Sequence, residues 1–128
     1  IKGWAPQLAI LRHPAVAAFL THCGWNSVLE SVSSGVMMLA WPTGADQYAN
    51  ARLVVGQLGL GMQIKRHGPD GVPDPSELAQ LFVDSVSPHR PERRRVMRLR
   101  EAAATAVNGG SSTVDLDCFV KHLIDLKK

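Results

Sequence analysis

The sequence predicts an α/β fold in which short parallel strands alternate with helices. Two apolar runs with the character of buried strands cover residues 16–21 and 36–41, and a weaker strand pattern covers 61–65. Single helical segments separate these strands, which predicts parallel pairing through right-handed crossovers. The 128 residues are 45% hydrophobic and 20% charged, which is typical of globular proteins and excludes fibrous, disordered and low-complexity classes.

Two helices are predicted between the strands. The first is expected to begin with Asn26 as its cap and to end at Gly35, because a glycine suits a left-handed residue after a helix. The second is expected to begin with Asp46 as its cap and to run to about Leu58. Three strands would leave apolar strand faces uncovered, so we expect further strands in sequence that precedes this chain.

The second half of the sequence is predicted to be helical. Asp74, Pro75 and Glu77 supply a cap, a first-turn proline and a capping-box acid ahead of apolar residues at helical spacing. A second helix is predicted over 91–107, and a last one follows Gly110. The apolar face of this last helix consists of Leu116, Phe119, Val120, Leu123 and Ile124. The glycine- and proline-rich segment 66–75 is expected to be a mobile loop.

Charge, apolar runs and cysteines narrow the classes of partner. A net charge of +3 does not predict a nucleic-acid partner, and the arginines within 93–98 are expected to form a solvated helix face. The longest apolar run, 15–20, is far shorter than the roughly 20 residues of a spanning helix, so no membrane is expected. Cys23 and Cys118 lack a metal or redox spacing, which predicts reduced thiols and a cytoplasmic protein.

Polar residues follow the two main strands, at the end of a parallel sheet where ligands bind. The turn and helix start at 22–27 combine a glycine with unpaired N–H groups and the positive end of a helix dipole, which predicts an anion site suited to phosphate. Asp46 and Gln47 follow the next strand. A carboxylate and an amide at that position can hydrogen-bond a polyhydroxyl group beside the phosphate.

Each of these residues also has a structural interpretation. The polar residues at both helix starts could serve as caps, His22 could bridge backbone groups, and Glu30 could face solvent. Trp4 and Trp25 could be core aromatics, although tryptophan in a turn also suits stacking on a flat base, worth roughly 1–3 kcal/mol. A metal or redox site at His22 and Cys23 lacks further ligands at useful spacing.

A run of residues with fixed spacing extends over 4–47. Its members are Trp4-Ala5-Pro6-Gln7, Ile10-Leu11, His13, Phe19-Leu20-Thr21-His22-Cys23-Gly24-Trp25-Asn26-Ser27, Glu30, Gly35, Trp41-Pro42 and Asp46-Gln47, followed by Asn50-Ala51. This run closely resembles the signature box of plant secondary-product UDP-glycosyltransferases. Val36-Met37 departs from the family, which commonly has a proline before the methionine. The rest of the chain is similar to the family's C-terminal end in its helix pattern.

The resemblance implies the GT-B arrangement, in which two Rossmann-like domains face each other. Residues 1–128 would be part of the C-terminal, nucleotide-sugar-binding domain, with the signature box at 4–47 and C-terminal helices over about 75–126. The N-terminal acceptor domain and the first part of the C-terminal domain are expected to lie outside this sequence, in the N-terminal remainder of the same enzyme.

The resemblance also implies a role for particular residues of the box. The uracil contacts would come from stacking on Trp4 and from the backbone of Ala5. The ribose would be held by Gln7 and Glu30. The diphosphate would be bound by His22, Asn26 and Ser27. The sugar hydroxyls would be bound by Trp25, Asp46 and Gln47.

The implied activity is transfer of a sugar, with inversion, to a hydroxyl of a small plant metabolite such as a flavonoid or another phenol. UDP-glucose is the expected donor, since Gln47 resembles the family's glucose users, whereas a histidine there would indicate galactose. The UDP-sugar is a co-substrate, and no cofactor or metal is expected because His22 and the helix N-terminus can stabilise the departing UDP.

The catalytic base of the family is a histidine of the N-terminal domain, and no segment here resembles its surroundings. His22 is not that base, and the remaining histidines are expected to be structural residues in loops or on helix surfaces: His13, His67, His89 and His122. No catalytic residue is therefore expected in this chain, which alone would be inactive. The alternative is a non-catalytic UDP-sugar-binding fragment or module, which would bind its ligand without turnover.

Overall fold

A parallel sheet carries the core of the computed structural model, which describes residues 2–65 and 71–126. The strands are β1 (Ala18–Thr21), β2 (Met37–Ala40) and β3 (Gly61–Gln63), in the order β1-β2-β3. Ala18 pairs with Met37, and Met38 pairs with Gly61, both in parallel register. The predicted parallel α/β fold is confirmed, and each strand is shorter than the apolar run that predicted it.

Helices occupy most of the remaining described residues. They are α1 (Gln7–Leu11), α2 (Trp25–Ser34), α3 (Gln47–Ala51), α4 (Pro75–Ser85), α5 (Pro91–Val107) and α6 (Ser111–Asp125). The sequence patterns predicted all of these except α1, which is too short to show a helical period. Residues 66–70 of the predicted mobile loop, and with them His67, lie outside the described residues.

The predicted Asn26 cap of α2 is wrong. The helix begins two residues earlier than that cap implies, at Trp25, and Gly24 occupies the N-cap position without any side-chain hydrogen bond. Asn26 therefore lies inside the first turn, where its own N–H is one of those that a helix leaves without an internal partner. The predicted end is confirmed, because Gly35 has a φ of 73°.

The predicted caps of α3 and α4 have different outcomes. Asp46 occupies the N-cap position of α3, but its carboxylate accepts from the side chain of Asn50 and makes no capping bond. Asp74 caps α4 as predicted, since its Oδ1 accepts from the N–H groups of Ser76 and Glu77 at 2.9 and 3.0 Å. A capping aspartate of this kind typically contributes about 1 kcal/mol.

The single helix predicted up to Leu58 changes character midway. The α-helix ends at Ala51 and continues as a π-helix over Arg52–Gln57. The N–H of Leu58 donates to the carbonyl of Leu53 at 2.9 Å, five residues back, which is the wider turn of a π-helix. The chain then enters β3 after only a few residues.

The core is centred on β2, whose four residues are buried. Val54 from the π-helix and Val96 from α5 are fully buried in the same cluster. Gly61 is required where β3 meets β2, because a side chain there would overlap the carbonyl of Met38.

The arginines of α5 form a solvated face only in part. Arg94 and Arg98 are exposed, as predicted. Arg93 instead reaches back to the end of α4, where its guanidinium donates to the carbonyls of Ser85 and Ser87 at 2.6 and 3.1 Å. Arg93 therefore helps to attach α5 to α4, and its charge satisfies carbonyls that a helix end leaves open.

The apolar face predicted for α6 exists but does not pack into the described core. Leu116, Phe119 and Ile124 are 60%, 59% and 54% exposed. No helix of the described ranges, 2–65 and 71–126, is both long enough and apolar enough to cross a bilayer.

The two cysteines are free thiols in very different surroundings. Cys23 is buried, whereas Cys118 is exposed on α6. Burial raises the pKa of the Cys23 thiol to about 11, although a backbone hydrogen bond with Trp41 acts in the opposite direction.

We expect iodoacetamide to label Cys118 readily in the folded chain and to label the buried Cys23 far more slowly until the chain unfolds. Because the thiolate is the nucleophile, a pKa of about 11 leaves roughly one Cys23 in a thousand reactive at about pH 8. Reactivity of Cys23 should rise with pH up to about 11. Peptide mass mapping measures the two sites, and Cys118→Ser is the control. Equal labelling of both cysteines in the folded chain would contradict the expectation.

Candidate functional site

Two loops leave the sheet side by side at the carboxyl ends of β1 and β2. The N–H of Trp41 donates to the carbonyl of Thr21 at 2.9 Å, so the loop after β2 starts beside the turn after β1. We call residues 22–27 and 41–47 together the strand-end site. The structure thus brings the predicted anion-binding turn and the predicted hydroxyl-binding pair to one edge of the sheet, where parallel α/β proteins bind ligands.

The turn after β1 has a fixed and unusual backbone. Cys23 has a φ of 66°, in the left-handed region that costs a residue with a side chain of order 1–3 kcal/mol. Its N–H donates to Thr21 Oγ1 at 3.1 Å, and its carbonyl accepts from Asn50 Nδ2 at 2.9 Å. The Cys23 thiol contacts the Thr21 carbonyl at 3.7 Å. These contacts hold the turn in the shape that starts α2.

The first turn of α2 offers backbone donors to a ligand. The first bond closing the helix runs from the N–H of Val28 to the carbonyl of Gly24 at 3.1 Å, and no side chain caps the N-terminus. A shallow depression of about 270 Å³ at this point is lined by His22, Gly24, Trp25, Asn26 and Ser27. Uncapped N–H groups and the positive end of the helix dipole favour an anion in such a depression.

The His22 ring lies directly over Gly24. A methyl group at position 24 would come within 2.7 Å of His22 Nε2 and 3.0 Å of Cε1. Gly24 therefore allows the imidazole to sit beside the N-terminus of α2. His22 is exposed whereas Cys23 is buried, so the two do not converge as metal ligands. Within 2–65 and 71–126, no three His, Cys, Asp or Glu side chains form a group that could hold a metal ion.

If the strand-end site binds UDP, as the sequence predicts, Gly24→Ala is expected to displace the His22 ring and to weaken that binding about tenfold. The added methyl meets only the end of a mobile side chain, so the free energy of unfolding should change by less than about 1 kcal/mol. Calorimetric titration with UDP and thermal unfolding measure the two effects. Gly56→Ala is the matched control, because its methyl would meet only Arg52 Cγ at 3.9 Å. Unchanged UDP affinity in Gly24→Ala would contradict this role of the glycine.

The loop after β2 orients Asp46 and Gln47. Gln47 Oε1 accepts from the N–H of Thr43, from Thr43 Oγ1 and from the N–H of Gly44 at 2.9, 3.0 and 3.0 Å. Because the oxygen is used by its own loop, the amide nitrogen of Gln47 is the branch that can donate to a ligand. Asp46 Oδ2 accepts from Asn50 Nδ2 at 2.7 Å.

A third group of predicted residues meets where α1 packs on α2. Gln7 Nε2 donates to Glu30 Oε2 at 2.8 Å and lies 3.5 Å from Ser27 Oγ. Glu30 is therefore not simply a solvent-facing residue. The contact links the segment that carries Trp4 to the helix whose N-terminus forms the anion-binding depression.

The two tryptophans assigned to the ligand are outside the core. Trp4 is 97% exposed and Trp25 is 47% exposed, which rules out a core role for Trp4. The carbonyl of Ala5, next to Trp4, accepts from the N–H of Gln7 at 2.8 Å. Trp41, in contrast, packs against the core.

Asn50 follows the signature box and had no predicted role, and the structure shows that its side chain contacts both loops. The available signal was its spacing, since residues four apart on a helix are neighbours and Asn50 follows Asp46 by four. Among the described histidines, His22 alone lines the depression at α2. His13 accepts from the N–H of Ala15, and His89 and His122 are exposed.

The chain is similar to one described protein family and to plant proteins of known activity. Residues 1–66 match the family described as UDP-glucoronosyl and UDP-glucosyl transferase. The chain is 56% identical over 127 residues to a flavonol 3-O-glucosyltransferase of Arabidopsis thaliana. The matched region covers 98% of this chain and 27% of that protein. It is 45% identical over 124 residues to a flavonol 7-O-rhamnosyltransferase of the same plant, with 96% and 28% covered.

Solved structures share the fold. The Arabidopsis thaliana protein UGT89C1 complexed with UDP-L-rhamnose aligns with a TM-score of 0.85 and 45% identity, over 94% of this chain and 29% of that one. The Medicago truncatula protein UGT71G1 complexed with UDP-glucose aligns with a TM-score of 0.86 and 35% identity, over 94% and 27%. The chain thus corresponds to part of a Rossmann-like domain of GT-B enzymes and spans little more than a quarter of the relatives it matches.

Proposed function

The chain belongs to the UDP-glucoronosyl and UDP-glucosyl transferase family, and on this premise we propose that it is the donor-binding portion of a plant glycosyltransferase. The proposal rests above all on one observation. An uncapped helix N-terminus with a histidine beside it stands next to an oriented carboxylate and amide at the same edge of a parallel sheet. A nucleotide diphosphate joined to a sugar has the matching sequence of charged and hydroxyl groups.

The diphosphate is assigned to the depression at α2. The first-turn N–H groups, including those of Asn26 and Ser27, donate to phosphate oxygens, and His22 adds a ring nitrogen from the preceding turn. The N–H groups are fixed by the helix before the ligand arrives. The N–H groups and His22 can stabilise the diphosphate charge through hydrogen bonds and the helix dipole, so we propose a metal-independent reaction.

The uridine is assigned to the segment before α2. Trp4 stacks on the uracil, for which its near-complete exposure leaves room, and the backbone of Ala5 pairs with the edge of the base. Gln7 and Glu30 hold the ribose hydroxyls, as the contact between them places an amide and a carboxylate side by side.

The donor sugar is assigned to Trp25, Asp46 and Gln47, and we propose glucose. The Gln47 amide nitrogen donates and the Asp46 carboxylate accepts, so the pair can bind adjacent hydroxyls from both sides. A glutamine at this position and the 56% identity to a glucosyltransferase support glucose. The 45% identity to a rhamnosyltransferase makes UDP-rhamnose the donor to test against it.

The proposed reaction transfers the sugar with inversion. The oxygen of an acceptor hydroxyl attacks the anomeric carbon as the bond from that carbon to the β-phosphate oxygen breaks, and UDP leaves with the bonding electrons. The hydroxyl proton goes to a base outside this chain. The chain itself stabilises the departing UDP. A flavonoid or another phenol is the proposed acceptor, in the cytoplasm, and the remainder of the same enzyme would bind it.

Two assays test the proposal. Calorimetric titration of the chain with UDP, ADP and UDP-glucose is expected to show binding of both uridine ligands and much weaker binding of ADP. The longer enzyme, of which this chain would be the donor-binding portion, is expected to form a glucoside from UDP-glucose and a flavonol. Transfer of a sugar from UDP-rhamnose or UDP-galactose is expected to be slower. Equal affinity for ADP and UDP would contradict the uracil assignment. UDP-glucose binding without turnover in the longer enzyme would favour the binding module over the enzyme.

A further inference from the structure

Asn50 joins the two loops of the strand-end site. Its Nδ2 donates to Asp46 Oδ2 at 2.7 Å and to the Cys23 carbonyl at 2.9 Å. Asp46 precedes α3 in the loop after β2, and Cys23 lies in the turn after β1. Because an asparagine amide carries two N–H hydrogens, these contacts use both of them and leave none for a ligand. Asn50 therefore serves neighbouring protein groups.

Each contact fixes a group that the donor needs. Asp46 is exposed at the start of a short helix, and an exposed aspartate without a partner would sample several rotamers. The bond to Asn50 selects one of them and orients the second carboxylate oxygen, Oδ1. On the other side, the Cys23 carbonyl belongs to the left-handed residue that directs the chain into α2. Asn50 therefore sets the distance between the carboxylate and the helix N-terminus.

We propose that Asn50 is a positioning residue that holds the Asp46 carboxylate at the donor sugar, in register with the diphosphate turn. This inference rests on the proposed function of the strand-end site. The sugar of a UDP-sugar is attached to the β-phosphate, so its hydroxyls meet Asp46 only when Asp46 is held at a set distance from the phosphate donors. Asn50 acts through Asp46 and contributes to the recognition of the sugar more than to that of UDP.

The test compares two affinities in the longer enzyme. The quantity measured is the ratio of the Kd for UDP-glucose to the Kd for UDP, because any change at the diphosphate turn affects both and cancels. Asn50→Ala is expected to raise this ratio about tenfold, because it removes the hydrogen bond from Asn50 to the charged Asp46 carboxylate. In an Asp46→Ala background, Asn50→Ala is expected to change the ratio by less than about twofold, since the group it positions is gone.

The control variant is Gln80→Ala. Gln80 Nε2 donates to Asp84 Oδ1 at 2.9 Å on α4, so this variant removes the same kind of amide–carboxylate pair, four residues apart on a helix, away from the strand-end site. It is expected to leave the Kd ratio unchanged, because neither Gln80 nor Asp84 contacts Asp46 or Asn50 by a hydrogen bond among the described residues. Asn50→Gln supplies a second test if Asn50→Ala does not fold, because it keeps the amide but moves it by one methylene, and it is expected to raise the ratio as well.

The outcomes separate the inference from the proposed function. A wild-type enzyme that binds neither UDP nor UDP-glucose would overturn the proposed function itself. If the wild type binds both and Asn50→Ala and Asn50→Gln leave the ratio unchanged, Asn50 does not position the sugar-binding group. If Asn50→Ala raises the ratio equally with and without Asp46, Asn50 does not act through the carboxylate. Either of the last two results overturns the inference while leaving the proposed function in place.

Discussion

Replacing Trp4 with alanine is expected to weaken UDP binding between about 5-fold and about 150-fold, since stacking of a base on an aromatic ring is worth roughly 1–3 kcal/mol. The Trp4 side chain is 97% exposed, so the core loses nothing when the indole is removed. The melting temperature should therefore stay within about 1 °C of wild type. Calorimetric titration with uridine, UDP and UDP-glucose should show the same fold-loss for all three ligands.

Two variants serve as controls for Trp4→Ala. Trp4→Phe keeps an aromatic face and is expected to recover most of the uridine affinity. Trp25→Ala, in the depression at α2, is expected to spare uridine and to affect only UDP-glucose, because Trp25 is assigned to the sugar. Uridine affinity that is the same in Trp4→Ala and in wild type would show that Trp4 does not stack on the base.

The parts of the fold that could be predicted are those decided by local sequence. The four buried residues of β2 form a continuous apolar run, and the Asp74 cap lies directly before the helix it stabilises. In both cases the residue types within or next to the element are enough to predict it, and no distant contact is needed. The repeated order of strand and helix then restricts the sheet to parallel pairing.

The parts that could not be predicted depend on contacts between distant residues. The short helix α1 is tied to α2 by the bond from Gln7 to Glu30, 23 residues away. Arg93 would be a solvated residue on an isolated helix, but α4 ends beside it and its carbonyls accept from the guanidinium. The apolar face of α6 is a correct local prediction, and the described core leaves it exposed.

The candidate site shows the same division. The spacing of the signature box predicted the residues at the two loops, but it carries no information on which atoms of each side chain are used by the protein. Gln47 Oε1 is occupied by its own loop, and Asp46 Oδ2 by Asn50. These bonds leave the Gln47 amide nitrogen as the group that could donate to a ligand and Asp46 Oδ1 as the oxygen that could accept from one. Both depend on the local geometry of the loop, which a pattern of residue types does not contain.

Replacing His22 with alanine is expected to lower the kcat of the longer enzyme about 100-fold, the usual loss when one fixed donor is removed from a developing negative charge. The His22 ring stands beside the first turn of α2, where the charge of the departing UDP would accumulate. The KM for the acceptor should stay nearly constant, because we propose that the remainder of the enzyme binds the acceptor. His89→Ala is the control, since His89 is also exposed but does not line the depression at α2.

A series of phenolic acceptors with different pKa values distinguishes the two roles a histidine could have here. If His22 stabilises the leaving UDP, the loss in kcat for His22→Ala is the same for every phenol, because the developing charge on UDP does not depend on which hydroxyl attacks. If His22 instead removed the acceptor proton, the loss would shrink as the phenol became more acidic, because an ionised acceptor needs no base. A loss that disappears with acidic phenols would therefore overturn the assignment of His22 to the leaving group.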